Sequence, residues 1–159
     1  EEQNFIVGAK IVRGAYMEKE RERAMQKGYI SPVQINKKAT DDDYNTGVAF
    51  CMEHIDKMHL FIGTHNEESC MKAIQLMQAK GIAADSEQVF FSQLYGMSDN
   101  ITFNLANAGF RCCKYLPYGP VRDVMPYLMR RAQENTSVAG QTGRELTLLN
   151  KEMQRRKNA

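Results

Sequence analysis

The chain has 159 residues, 43% hydrophobic and 25% charged, which suits a globular domain and excludes a disordered or low-complexity segment. Its 21 basic and 19 acidic residues leave a net charge of +2, so no broad field for nucleic acid or anionic lipid is implied and small or neutral partners remain open. The four cysteines, Cys51, Cys70, Cys112 and Cys113, show no CxxC spacing; with ten methionines they fit a reducing compartment better than a disulfide framework, and no metal site is expected.

In chain order, Phe5 to Tyr16 (FIVGAKIVRGAY) predicts a strand, and the charged run MEKERERAMQK after it a helix stopped by Gly28. DDDYNTGVAFCMEHIDKM predicts a second helix, with aspartates where its dipole favours negative charge and Val48, Cys51, Met52 and Ile55 at helical spacing. His59 to Asn66 reads as a strand. The next helix is capped by Asn66, has Met71, Ile74, Leu76 and Met77 on its apolar face, and ends at Gly81.

Gln88 to Met97 predicts a third strand, SDNITFNLANAG a short helix opened by Ser98 or Asp99, and Phe110 to Gly119 a fourth strand. The following helix starts with Pro120 in the first position, repeats Val121, Val124, Met125, Leu128, Met129 and Ala132 at helical spacing, and carries Pro126, expected to kink it or mark its true first turn. RELTLLNKEMQRRK predicts a last helix with a basic end. The nearly continuous apolar runs at Ile6 to Val12 and Leu60 to Ile62 suit strands covered on both faces.

Repeated strand–helix units imply a parallel α/β sheet in one domain, and polar clusters recur at the C-terminal end of every strand: RGAY at 13–16, THN at 64–66, QLYGM at 93–97 and YLPYG at 115–119. That end carries the active site in open α/β sheets and in (β/α)8 barrels. No stretch approaches the roughly eighteen unbroken apolar residues of a membrane span, and the residues from Glu1 onward read as neither a signal h-region nor an Arg-rich presequence. A start at Glu1, without methionine, is expected of a fragment or processed piece.

Several side chains carry both an ordinary and a functional reading. Tyr127, Arg130, Arg131 and Glu134 share the helix face opposite the apolar stripe; they are either a solvated face with an Arg130–Glu134 pair, or an anion clamp of two planar forks oriented by the glutamate. His65 is a base, a neighbour of flavin or phosphate, or a polar strand-end residue, and no carboxylate or cysteine partner marks it as part of a nucleophilic set. RGAY has one glycine, so it is not a GxGxxG fingerprint; it is a plain turn, or a close backbone approach to a flat ligand with Arg13 adding positive charge. Tyr115 is a strand-end aromatic or a site residue, while Lys37 and Lys38 read as solvated.

Taken in order, KIVRGAY, KKATDDDY, GTHN, QLYGM, KYLPYG and YLMRRAQEN resemble the proline dehydrogenase family, with a match close to its eukaryotic mitochondrial form. The resemblance runs from about Phe5 to Asn135. It implies the second half of a distorted (β/α)8 TIM barrel: four parallel strands alternating with helices, corresponding to strands five to eight, plus C-terminal helices. Residues 1–159 would form that half-barrel, with 136–159 a helical tail.

The activity so implied is FAD-dependent oxidation of L-proline to Δ1-pyrroline-5-carboxylate by hydride transfer from C5 to flavin N5, with electrons passed to ubiquinone. Arg130 and Arg131 are similar to the pair that binds the proline carboxylate, Glu134 to the residue holding that pair, Tyr115 to the tyrosine over the proline ring and Leu94 to a pocket wall. For FAD the resemblance implies Lys10, Val12, Arg13, Gly14, Ala15 and Met17, with Thr64, His65 and Asn66. Lys10 and Met17 stand where the family often has arginine and an aromatic.

A hydroxyproline-oxidising relative carries a smaller hydroxyl residue in place of the tyrosine, so Tyr115 points to proline. The resemblance also implies a mitochondrial location on the matrix side of the inner membrane, peripheral membrane association, and a first half of the barrel supplied by a separate chain or a missing segment. The alternative from another class is a non-catalytic interaction module whose basic C-terminus, KEMQRRK, engages an acidic partner.

Overall fold

The computed structural model describes residues 5–137 and 141–158, without the side chains at 132–137 and 141–145. Short β-branched and aromatic runs form β1 (Val7–Ile11), β2 (Met58–Gly63), β3 (Val89–Leu94) and β4 (Cys112–Tyr115). Between and after them come α1 (Met17–Lys27), α2 (Lys37–Glu53), α3 (Glu67–Ala79), α4 (Asp99–Asn107), α5 (Val121–Ser137) and α6 (Gln141–Lys157). The strands form one sheet in the order β1-β2-β3-β4, and the β1–β2 and β2–β3 pairs are parallel. Consecutive order with helical crossovers is the arrangement of a (β/α) barrel wall.

Strand alternation sorts the sheet into two faces. Leu60, Ile62, Val89 and Phe91 are fully buried and pack with Tyr44, Val48 and Met52 of α2 and Ala73, Ile74 and Met77 of α3. Burying each large side chain contributes about 2 kcal/mol, enough to fix which face meets the helices. The opposite face carries Phe61 and Phe90, whose rings stack with centroids 4.8 Å apart.

Local signals set several boundaries where the sequence places them. Asn66 caps α3, its side chain accepting from the Ser69 N–H at 3.0 Å. Gly28 and Gly81 adopt the left-handed conformation beyond α1 and α3, with φ of 70° and 66°.

Others moved. The strands are shorter than expected, and a 3-10 turn at Ile55–Lys57 ends the second helix before Met58, which starts β2. α2 begins at Lys37 because Asn36 caps it, accepting from the Ala39 N–H at 2.8 Å, so the aspartate run falls outside its first turn. Lys37 and Lys38, exposed as expected, pair one turn on with Asp41 and Asp42 at 2.5 and 2.6 Å.

β1 is an edge strand with mostly exposed residues, so its apolar run does not mark coverage on both faces. α5 starts just after Pro120, whose carbonyl accepts from the Asp123 and Val124 N–H groups, and Pro126 lies inside the helix beyond its first turn. The apolar stripe of α5 is exposed at Val121, Met125, Leu128 and Met129. The chain divides into two compact units, Glu1–Lys114 and Tyr115–Ala159, a boundary ahead of the tail expected from residue 136.

Candidate functional site

In the first unit the sheet register brings the ends of three strands level. Ile11 pairs with Ile62 and Gly63 with Ser92, so one or two residues further Arg13, Thr64 and Gln93 lie side by side. Parity then divides the expected cofactor residues. Arg13, two positions after Ile11, falls on the helix-covered face, whereas Lys10, Val12 and Leu94 fall on the face shared by Phe61 and Phe90.

Arg13 is held from four sides. Its Nη1 meets an Asp41 carboxylate oxygen at 2.9 Å and donates to Ser69 Oγ at 3.0 Å, and its Nη2 donates to Thr64 Oγ1 at 3.0 Å. The guanidinium also lies over the Tyr44 ring, 4.4 Å from its centroid. Its charge is therefore matched by a carboxylate of its own chain, and it ties β1, α2 and the turn before α3 together. Burial raises the Tyr44 hydroxyl pKa although Arg13 pulls it down, and burial likewise pushes the Cys70 thiol up to about 12.

Gly63 allows the opposite face to close up. A Cβ there would stand 2.8 Å from Val12 Cγ1, 2.9 Å from the Ile11 carbonyl oxygen and 3.0 Å from Lys10 Cε. Just beyond, the backbone at Gly14 and Tyr16 is left-handed, with φ of 79° and 59°. Positive φ is uncommon for a bulky residue and clusters at ligand-holding turns. A cleft of about 340 Å³ is lined by Val12, Arg13, Gly14, Ala15 and Met17, with Gln34 and Tyr44 across it.

In the next turn, Thr64 is buried and its hydroxyl accepts from Arg13 and from the Asn66 N–H at 3.1 Å. The Asn66 side-chain oxygen is committed to its helix cap, and His65 Nδ1 is 2.9 Å from Ser98 Oγ. These residues fit a large flat cofactor by their chemistry. Val12 and Met17, 54% and 40% exposed, offer apolar contact at the strand ends, and exposed Lys10 offers a positive charge beside them.

The second unit contains the arginine pair. Tyr115, the last residue of β4, meets the Tyr127 ring edge-on with centroids 5.8 Å apart, and the Arg131 guanidinium lies over Tyr127 at 4.9 Å. A cleft of about 490 Å³ is lined by Tyr115, Tyr118, Asp123, Tyr127 and Arg130. Adjacent helical residues diverge by roughly 100°, so Arg130 reaches the cleft lining while Arg131 packs against an aromatic one turn back. The side chain of Glu134 lies outside the described residues.

The sequence marks no site role for Asp41, Tyr44 or Ser69 around Arg13, or for Ser98 beside the Thr64–Asn66 turn, whereas Tyr127, placed on the face of the arginine pair, does lie between Tyr115 and Arg131. The parity of Arg13 with Ile11 and the i,i+4 spacing of Tyr127 and Arg131 were available signals. Contacts such as Arg13 with Ser69 were not.

A close-packed turn at parallel strand ends and a cleft lined by tyrosines and Arg130 stand at the C-terminal ends of the strands, the end at which (β/α) folds carry their sites. Residues 1–144 match the family model described as proline dehydrogenase, and the chain belongs to that family. It is 44% identical over 164 residues to "Proline dehydrogenase 1, mitochondrial" of Drosophila melanogaster, covering 97% of this chain and 24% of that protein. It is 43% identical to the "Hydroxyproline dehydrogenase" of Xenopus laevis, covering 94% of this chain and 33% of that one.

The crystal structure of proline utilization A from Bdellovibrio bacteriovorus inactivated by N-propargylglycine superposes with a TM-score of 0.79 at 29% identity, over 87% of this chain and 14% of that one. The chain thus spans from a quarter to a third of the length of these two curated relatives.

Proposed function

We propose that the protein to which this chain contributes oxidises L-proline to Δ1-pyrroline-5-carboxylate with FAD. One observation carries the reading: Arg130 lines a cleft walled by Tyr115, Tyr118 and Tyr127, and the adjacent Arg131 is held over one of those rings. A small imino acid presents a carboxylate and an apolar ring. Taking that carboxylate out of water without a counter-charge is expensive, which the guanidiniums offset, while tyrosine faces suit the ring.

When bound, FAD supplies a two-electron oxidation, accepting the hydride equivalent from proline C5. Lys10, Val12, Gly14, Ala15 and Met17 would hold it from the first turn and Thr64, His65 and Asn66 from the second. Arg13 contributes by fixing both turns to α2 through Asp41 and Thr64. The arginines and tyrosines would position the substrate and Glu134 would steady the pair; no side-chain nucleophile is required.

Within the whole protein the chain supplies strands five to eight of the barrel and the final helix, the first half coming from another segment or chain. Of the tail from residue 136, α6 (Gln141–Lys157) is the described helix. Ubiquinone receives the electrons, at the matrix side of the mitochondrial inner membrane. The mitochondrial relative from Drosophila melanogaster supports that location, and among the described residues no helix is long and apolar enough to cross a membrane.

The test is the absorbance spectrum of the intact protein with and without L-proline. A flavin band that bleaches on addition is expected; an absent band, or one unmoved by saturating proline, overturns the reading. Faster bleaching by hydroxyproline would transfer the assignment to that substrate, at odds with the bulk of Tyr115.

A further inference from the structure

We propose that Ser98 is a positioning residue for the FAD site, its hydroxyl fixing the imidazole of His65 across two neighbouring strand-end turns; this rests on the FAD reading above. Ser98 stands immediately before α4, where a serine ordinarily caps the helix. It makes no such bond. Its hydroxyl lies instead 2.9 Å from His65 Nδ1, a residue 33 positions away in the chain.

The backbone is adapted to that contact. Ser98 is 4% exposed with φ 52° and ψ 44°, a left-handed conformation that a serine rarely adopts and that persists where surrounding contacts impose it. The imposing contacts are present. The Thr102 N–H donates to the Ser98 carbonyl at 3.2 Å, and the Thr102 hydroxyl donates to Gln93 Oε1 at 2.9 Å. Gln93 Nε2 donates to the Thr64 carbonyl at 3.2 Å, next to His65 itself.

The orientation of Gln93 is decided by chemistry, because the Thr64 carbonyl only accepts and therefore faces the NH2 group. The oxygen is left for Thr102. Gln93, Thr102 and Ser98 are all buried, so the circuit joins the Thr64–Asn66 turn to the Ser98 turn without water. A role confined to the fold would be served better by glycine, which adopts the left-handed conformation freely and keeps every backbone hydrogen bond in the circuit.

Ser98→Gly separates the two roles in the intact protein. Thermal unfolding should stay level or rise. In the flavin-stripped protein, acylation of His65 by diethyl pyrocarbonate, mapped by peptide mass spectrometry, should accelerate about five-fold, the equivalent of one ordinary hydrogen bond. His54 and His59 serve as internal controls and should not change.

FAD should bind the variant about five-fold more weakly for the same reason, and the effect should vanish when His65→Ala is already present. Unchanged His65 reactivity in a folded Ser98→Gly protein overturns the inference. A marked fall in unfolding temperature also overturns it, since the hydroxyl would then be holding the fold. A wild-type protein without affinity for FAD overturns the cofactor reading instead, and the acylation rates still report whether Ser98 governs His65.

Discussion

Arg13 shows how a charge expected to face a ligand can be spent inside its own chain. Its pairing with Asp41 leaves the two side chains 15% and 21% exposed, so the ion pair is largely shielded from water. Breaking a fully buried pair costs roughly 3–5 kcal/mol, and partial exposure lowers that to about 2 kcal/mol for Asp41→Asn. Urea unfolding measures it; an unchanged midpoint would mean that Ser69, Thr64 and Tyr44 hold the guanidinium alone. For the arginines of α5, Arg130→Met or Arg131→Met should raise the proline KM ten-fold or more in the intact protein, about 1.4 kcal/mol or greater. Unaltered proline kinetics in both variants would remove the clamp.

Cys70 makes stability depend on alkaline pH. The fold keeps its thiol neutral to about 12, against 9.0 for an ordinary thiol, so above pH 9 ionisation favours the unfolded chain. The stability it contributes is intact below about pH 9 and declines between about 9 and 12, with Tyr44 adding in the same direction. The urea midpoint should fall across that window, and fall less in Cys70→Ala.

Secondary-structure elements were legible where a local signal governs them and shifted where a competitor stood nearby. Asn66→Ala removes the α3 cap and should cost about 1 kcal/mol by thermal unfolding. The aspartate run predicts α2 one turn late, because the cap bond is made by Asn36, ahead of that run. Gly63 marks a demand between elements. An alanine there meets the Ile11 carbonyl, which cannot swing aside as a flexible side chain can, so β1 and β2 must separate. Gly63→Ala should cost about 1–3 kcal/mol, and FAD titration should show weaker binding as Val12 and Lys10 shift. An alanine variant of wild-type stability would refute the close approach.

The chain presents surfaces suited to further coverage. Phe5, Ile6 and Val7 are exposed along the β1 edge, and an apolar edge strand is a template for pairing. The α5 stripe, periodic enough to read as a core face, is exposed at Leu128 and Met129. Produced alone, the chain should retain no FAD, and co-production with the rest of the barrel should restore the yellow band. A stable monomer of 18.1 kDa with bound flavin would show instead that this half suffices.

Strand and helix order, the glycine stops after α1 and α3 and the Asn66 cap could all be read from the chain. Each depends on neighbours within a few positions: alternation, helical period, a side chain reaching the next turn. Likeness of ordered motifs likewise pointed to the family. Which side chains meet could not be read this way. Arg13 and Ser69 are 56 positions apart, and Ser98 turned from its cap to His65 over 33. Hydrogen bonds and ion pairs depend on distance in space and on exclusion of water, and both arise only when the sheet brings its strand ends level.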